Sequence, residues 1–357
     1  MKWLYQKLLR PLLFLMNPEF VHDVFVSVGS FFGKTSLGRS VIASFYKYNG
    51  GKATKTVDGI TYQSPVVLAA GFDYNGHLAS ILDCMSFGGV EIGSVTARET
   101  KGNPRPRLKR MIRSQALVVY KGLKNDGVEV IINRLKKMKK PEGFVWGISI
   151  AKTNDAQTVS REAGIEDYTL SFKRLNEENI GDFYTINISC PNVHGGESFT
   201  TPDMLSPLMQ SLDKVDCEKP IYIKMPINLP WEEFNDLLAI LDRHRVSGVI
   251  IGNLNKEYDD ADFPDEAPPK YRGGLSGKVC QTRSTELIKQ TKSQWGNRFT
   301  IIGCGGVMSP EDAIEKLEAG ADLLQLISGM IFNGPHLMKK IAEAVANRQK
   351  ESSEVLQ

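Results

Sequence analysis

The segment INISCPN at 186–192 gathers two amides, a hydroxyl and a thiol where an apolar run ends. Asn187 and Ser189 alternate with Ile186 and Ile188, so in an extended chain the polar pair shares one face and the isoleucines the other. Asn187 and Asn192 could therefore converge on a planar polar ligand. Most cysteines in a core are small hydrophobes. Cys190 instead falls just past the run, before the loop VHGGESF, where a thiol can do chemistry. Lys224 ends another apolar run, IYIK. A lysine is rarely buried without a partner, and a cation there suits a ligand that develops negative charge.

Three glycine-rich turns add a second signal: Gly273-Gly274-Leu275-Ser276-Gly277, Gly303-Cys304-Gly305-Gly306 and Ser328-Gly329. Glycine leaves backbone N–H groups unobstructed, as phosphate binding requires. Each turn alone is weak. Together with a buried lysine and amides, they fit FMN, the simplest cofactor with one phosphate and a polar planar ring.

These residues need a frame, and the chain from residue 53 onward supplies one. A small hairpin is expected in ATKTVDGITYQSP, turning on Asp58-Gly59. Eight short apolar runs follow, at 66–71, 89–96, 144–150, 183–189, 221–226, 248–253, 299–306 and 321–329. Helical patterns separate them, most clearly at 232–245 and at 309–320, where Ser309-Pro310-Glu311-Asp312 is a helix start. This alternation predicts an α/β fold, a (β/α)8 TIM barrel over 46–345, with a helical segment at 1–45 before it and a polar tail at 346–357. A doubly wound sheet would want G-x-G-x-x-G after the first strand, and VVLAAGFDYNG lacks it. In such a barrel the chemistry sits at the C-terminal strand ends, which is where Asn187, Cys190, Lys224 and the glycine turns fall.

Composition narrows the class of protein. With 44 Lys plus Arg against 41 Asp plus Glu, the net charge of +3 gives no footprint for nucleic acid. The five cysteines include no C-x-x-C pair, which points away from a disulfide framework or a zinc site and predicts no bound metal. No apolar run reaches the roughly 18 residues of a bilayer span. The N-terminus is nonetheless unusual. Lys2, Lys7 and Arg10 flank Trp3, Leu4, Leu8, Leu9 and the run from Leu12 to Met16, and Pro11 should kink or end a first helix. Asn17-Pro18-Glu19 starts another, with Val21, Val24, Phe25, Val28, Phe31 and Phe32 forming an apolar face and His22, Asp23 and Ser27 off it. Such helices either pack on the protein's own domain or lie on a membrane surface.

The motifs AAGFDYNG (69–76), EIGSVTARETKGNPRPRLKR (91–110), INISCPN, GGLSG, IIGCGG and ISGMIFNGP resemble, in order, those of the dihydroorotate dehydrogenase family. The opening segment, with NPEFVH at 17–22, resembles the family's membrane-associated, quinone-using class. The resemblance implies oxidation of dihydroorotate to orotate in pyrimidine biosynthesis, with Cys190 as general base, a hydride passing to FMN, and electrons then passing to a quinone. It assigns FMN to Ala70, Gly71, Ser94, Ser149, Asn187, Lys224, Gly252, Gly277, Gly306, Ser328 and Gly329, and the pyrimidine to Asn187, Asn192 and Asn253. It also implies a peripheral position on the cytoplasmic side of a membrane, or on the mitochondrial inner membrane in a eukaryote, with a soluble cytoplasmic protein as the alternative.

Several positions depart from the family pattern. Cys190 stands where the quinone class usually has serine, Tyr74 where the family has lysine, and Val119 and Ser149 where it has asparagine. Leu254 replaces the usual Ser or Thr after Asn253, and Ile327 an aromatic before Ser328. Lys121 and Lys124, on the altered loop, are candidates to return the missing charge. Because Tyr74, Val119 and Leu254 alter the orotate side, an FMN oxidoreductase acting on another cyclic or unsaturated substrate is the alternative. A tRNA dihydrouridine reductase and a flavin-binding protein without turnover are weaker rivals.

Overall fold

A computed structural model describes residues 2–51, 53–194, 199–258, 265 and 273–355. Eight parallel strands close into a barrel: β1 (Val66–Leu68), β2 (Gly89–Val95), β3 (Val145–Ile150), β4 (Phe183–Asn187), β5 (Ile221–Met225), β6 (Gly248–Ile251), β7 (Thr300–Cys304) and β8 (Leu323–Leu326). Each pairs with its neighbour in sequence, and β8 pairs with β1. All eight expected strands form, each a little shorter than its apolar run; in all but the run at 144–150, which loses only its first residue, the last residues leave the ladder at the site end. The helices expected at 232–245 and 309–320 run over Trp231–Leu241 and Pro310–Glu318, and Ser309 Oγ caps the latter by accepting from the N–H of Asp312 at 3.2 Å.

The two-residue period of each strand sorts the side chains. One set packs outward against the helices in the main core. Of the inward set, Val67, Val145, Phe183, Tyr222, Ile250, Ile302 and Leu323 form an apolar cluster with Val57 and Tyr62. Val57 and Tyr62 come from the hairpin Lys55–Val57/Ile60–Tyr62, which turns on Asp58 and Gly59, both at positive φ. Asp58 accepts from the Tyr222 hydroxyl at 2.6 Å, fixing the plug to the barrel floor. Two residues further along β5, on the face of Tyr222, lies Lys224; on β8, two beyond Leu323, lies Gln325. Polarity inside the barrel therefore begins one layer above its apolar floor.

At the other end, Leu108–Met111, Ala116–Val119 and Gly274–Gly277 form a three-stranded antiparallel sheet. The N-terminal helices dock beside it. The Tyr5 hydroxyl donates to Ile331 O at 2.6 Å, Arg10 Nη1 to Phe332 O at 2.9 Å, and Arg110 Nη1 to Met16 O at 2.8 Å. Pro11 does not end the first helix: a π-helical turn at Tyr5–Leu9, in which the Arg10 N–H reaches back to Tyr5 O, leads directly into Arg10–Leu15 and accommodates the proline within a continuous helical run.

The helix Pro18–Gly33 is capped as expected, Asn17 Oδ1 accepting from the N–H groups of Glu19 and Phe20. Its facing inverts the ordinary rule. Phe20, Val24, Phe25, Val28 and Phe31 are exposed, Phe31 at 70%. The inner side is His22, Val26, Gly29 and Gly33; a Cβ on Gly29 would come within 2.5 Å of Leu78 Cδ2, and one on Gly33 within 2.5 Å of Ser80 Oγ. Small residues thus let this helix approach the barrel closely while the apolar stripe points away from it. No single helix among the described residues is long and apolar enough to cross a membrane, whereas the bent pair Tyr5–Leu15 and Pro18–Gly33 passes by length and composition together. The polar tail expected from 346 continues the closing helix Leu337–Val355, where Ala342 and Ala346 pack on Ala53.

Candidate active site

Strand ends bring most of the expected site residues to one mouth. Ala70 and Gly71 follow β1, Ser94 and Ser149 lie near the ends of β2 and β3, and Asn187 and Lys224 are paired in register across β4 and β5. Gly252 and Asn253 follow β6, Gly306 follows β7, and Ser328 and Gly329 follow β8. A continuous hydrogen-bonded chain links the middle of this set. Ser149 Oγ lies 2.8 Å from Ser94 Oγ, which accepts from Asn187 Nδ2 at 2.9 Å. Asn253 Nδ2 donates to Asn187 Oδ1 at 3.3 Å and to Ser189 Oγ at 2.8 Å, and Ser189 donates on to Lys224 O at 2.7 Å. Low-dielectric surroundings make such a satisfied network rigid.

Asn192 is held from the other side. Its Nδ2 donates to Val119 O at 2.8 Å, while Asn103 Nδ2 donates to Asn192 O at 2.9 Å. The backbone of Val119 therefore positions an amide, although its side chain departs from the family pattern. Cys190 is half-buried past the end of β4 and shares a cavity wall with Leu123, Lys152, Tyr168, Asn187 and Phe199. Residues 195–198 of the loop behind it lie outside the described residues.

Lys224 is 4% exposed; its ammonium donates to Gln325 Oε1 at 3.4 Å and lies close enough to the Cys304 thiol for its charge to act there. Gln325 Nε2 in turn donates to Glu91, whose Oε1 is buried with no hydrogen-bond partner among the described residues. The lysine keeps donors for an acceptor in the mouth. The glycine turns meet the same end: Ser276 Oγ and Ser328 Oγ are 2.9 Å apart, joining the strand that ends at Gly277 to the turn after β8. A Cβ on Gly329 would fall 2.1 Å from Val307 O, and Gly306, at φ 75°, would meet Gln281 at 2.4 Å. Only glycine allows these backbones to approach so closely. A mononucleotide's phosphate and ring match this donor set.

Tyr74 is buried, its ring stacked on His22 with centroids 5.1 Å apart. Lys121 Nζ lies 5.1 Å from the Tyr74 ring centre and 4.0 Å from Glu19. Burial lowers Lys121 to about 8, and it lowers His22 as well. His22 Nε2 is 2.8 Å from Phe72 O, immediately after Gly71, so the inverted helix reaches the mouth of the barrel. Of the two candidate lysines, Lys121 is the one that covers Tyr74. Leu254 packs against Gly274, and Ile327 approaches Gly71.

Four contributors escaped the sequence reading. Glu91 and Gln325 are polar residues inside otherwise apolar strands, a signal available in GVEIGSV and LLQL. Lys152, two residues past β3, occupies the kind of strand-end position that drew attention to Lys224. Tyr168, on the helix Arg161–Glu177, carried no signal; its hydroxyl donates to Asn187 O at 2.7 Å.

A closed barrel with a buried lysine, converging amides and a half-buried thiol at its C-terminal end has the frame of a (β/α)8 oxidoreductase. The family model described as dihydroorotate dehydrogenase matches residues 52–348. The chain is 34% identical over 351 residues to a protein of Christiangramia forsetii, covering 97% of this chain and 99% of that one. It is 36% identical to one of Polynucleobacter necessarius, covering 94% and 96%, and both relatives are named dihydroorotate dehydrogenase (quinone). A crystal structure of the Eimeria tenella enzyme in complex with ferulenol shares the fold, with a TM-score of 0.81 at 22% identity over 94% of this chain and 92% of that one. The chain belongs to the dihydroorotate dehydrogenase family. These relatives do not favour the alternative of a different substrate.

Proposed function

We propose that this protein oxidises dihydroorotate to orotate with FMN as cofactor and a quinone as the second electron acceptor. The observation that carries the reading is the chain Ser94–Asn187–Asn253–Ser189–Lys224, with Cys190 at its edge, in a member of this family. Lys224, Gly277, Gly306, Ser328 and Gly329 would hold the flavin, with Ala70, Gly71, Ser94, Ser149 and Gly252 around it. Bound FMN supplies the hydride acceptor for C6 and passes the electrons on. Asn187, Asn192 and Asn253 hold the pyrimidine through its amide groups. Cys190 removes the proton from C5, which needs a base of suitable pKa within hydrogen-bonding reach. Lys121, over Tyr74, supplies the cation that the family's lysine would otherwise bring.

The relatives' names include quinone, and the exposed stripe of Pro18–Gly33 supports an acceptor that arrives from a lipid surface. The protein is accordingly a peripheral membrane protein, its bent helical pair lying on the bilayer with His22 at the inner end of the path. Anaerobic mixing of the yellow protein with dihydroorotate tests the central reading. Flavin bleaching within seconds is expected; a flavin that stays oxidised at millimolar substrate overturns it.

A further inference from the structure

The cavity wall that carries Cys190 also carries a lysine that the reading above leaves without a role. Lys152 is 3% exposed, and its Nζ donates to Thr158 O at 3.2 Å and to His194 O at 2.9 Å. His194 lies on the turn that begins with Cys190, so this ammonium ties the end of β3 to the segment holding the thiol. Both recorded acceptors are neutral carbonyls. They satisfy hydrogen bonds but carry no counter-charge of their own; Asp167 and Asp155 act on the ammonium from nearby, and in a buried setting its charge acts strongly on its surroundings.

Other charged and titratable groups pack around this wall. Asp167, on the helix Arg161–Glu177, accepts from the N–H and the hydroxyl of Thr153 at 2.8 and 2.7 Å and lies 3.4 Å from Arg98. Asp155, on the turn after β3, pairs with Arg98 at 2.8 Å. Tyr168 is tied to Asn187 O, and burial keeps it a neutral phenol. Arg98 thus serves both carboxylates, and Lys152 is the cation that shares a wall with the thiol. Burial lowers Lys152, and Asp167, Asp155 and Cys190 each pull it back up, so the lysine and the thiolate favour one another's charged forms.

We propose that Lys152 is a positioning residue for the base: it anchors the turn through His194 O and stabilises the thiolate of Cys190 over the thiol. This rests on the reading of Cys190 as base. A neighbouring cation lowers a thiol's pKa, and only the thiolate accepts a proton. A serine at the same place would gain less, since its hydroxyl starts from a far higher pKa. Lys152 and the cysteine form one device.

The test is the pH dependence of Cys190 alkylation by iodoacetamide, read on the Cys190 peptide by mass spectrometry, in the flavin-loaded protein without substrate. Lys152→Met should raise the midpoint by about one pH unit, a roughly tenfold loss of thiolate below it. Lys152→Arg, which keeps the charge, should restore the midpoint. Should Lys152→Met fail to fold, Lys152→Gln keeps the hydrogen-bonding length without the charge and should show the same rise. An unchanged midpoint in the neutral variants overturns the proposal. The pH profile of flavin bleaching, measured in parallel, separates the two readings. If alkylation shifts and bleaching does not, Lys152 tunes the thiol but Cys190 is not the base.

Discussion

Gln325 Oε1 accepts from Lys224 Nζ at 3.4 Å, and the same side chain's amide nitrogen donates to Glu91. A neutral amide thus connects a buried cation to a buried anion inside the barrel. Direct contact would commit the ammonium to the carboxylate; the intervening glutamine keeps the charges balanced while Lys224 still faces the mouth. Removing Glu91 would leave the amide without its acceptor and the cation without its counter-charge. Glu91→Ala should cost about 1–3 kcal/mol, the scale for leaving a buried hydrogen-bonding group unpaired. Urea denaturation at saturating flavin measures it, and a cost below about 1 kcal/mol would show that the carboxylate does not balance the lysine.

Lys224→Ala asks the complementary question. The apolar floor below it stays packed, so the variant should fold, with a stability cost similar to that of Glu91→Ala because Glu91 loses its counter-charge. Flavin retention should fall, read as flavin per chain after gel filtration and as a weaker affinity on titration. Unchanged retention would remove Lys224 from the cofactor site.

How far these features were legible in the sequence depended on whether the pattern was local. Strand runs and helix starts are short-range signals, and the barrel followed from their number and order. Asn187 and Lys224 stood out because a polar residue ending an apolar run is visible in one dimension. Glu91 and Gln325 are 234 residues apart, and only barrel closure makes them partners. The N-terminal helix stays ambiguous in sequence for a physical reason: periodicity identifies an apolar face but not what it meets. There the side toward the barrel carries Glu19, His22, Val26, Phe32 and two glycines, while most of the apolar stripe points outward.

That outward stripe gives the third prediction. Leu15, at 86% exposure, together with Phe20, Phe25 and Phe31, presents apolar surface that water penalises and lipid does not. The full chain should sediment with liposomes. A variant lacking residues 1–33 should remain in the supernatant and lose rapid reoxidation by quinone, while flavin reduction by dihydroorotate continues more slowly, because Glu19 and His22 no longer hold Lys121 and Tyr74. Equal quinone turnover with and without the segment would leave these helices as packing elements.

Lys316 provides a pH signature of stability. It is fully buried, donates to Ser284 Oγ at 3.1 Å and Thr285 Oγ1 at 3.0 Å, and burial lowers it from 10.5 to about 8. Between those values the unfolded chain holds more protons than the native one, so this group's contribution to stability rises with pH. The charge penalty, up to about 3 kcal/mol, is present in full below pH 8 and relieved toward 10.5. Lys316→Met removes the charge while both hydroxyls keep other partners, Ser284 donating to Cys304 O at 2.7 Å and Thr285 to Gln281 O at 2.9 Å. The variant should be more stable than wild type at pH 7.5, with the gap narrowing by pH 9.5. Cysteine titration in the unfolded state is common to both proteins and cancels in the difference. A gap independent of pH would refute the assignment.

Cys190 carries the last prediction. Removing a proton from carbon is slow unless an acceptor of suitable pKa is held close, and a thiol near 8.5 ionises far more readily than a serine hydroxyl. The turn supports this role from several directions: Tyr168 fixes Asn187 O, Lys152 fixes His194 O, and Asn103 fixes Asn192 O. These hydrogen bonds hold the backbone of the turn, so the site should stay assembled in the alanine variant. Cys190→Ala should therefore keep its flavin yet bleach on mixing with dihydroorotate about 10²-fold or more slowly, the scale for a lost general base. Cys190→Ser should retain part of the rate, with its pH dependence moved upward, because the hydroxyl has a higher pKa to overcome. In wild type, the rate should rise with pH until the thiolate dominates and then level off. Stopped-flow absorbance of the flavin across pH in the three proteins makes the comparison. If the alanine variant bleaches as fast as wild type, the proton leaves by another route and the thiol is a bystander.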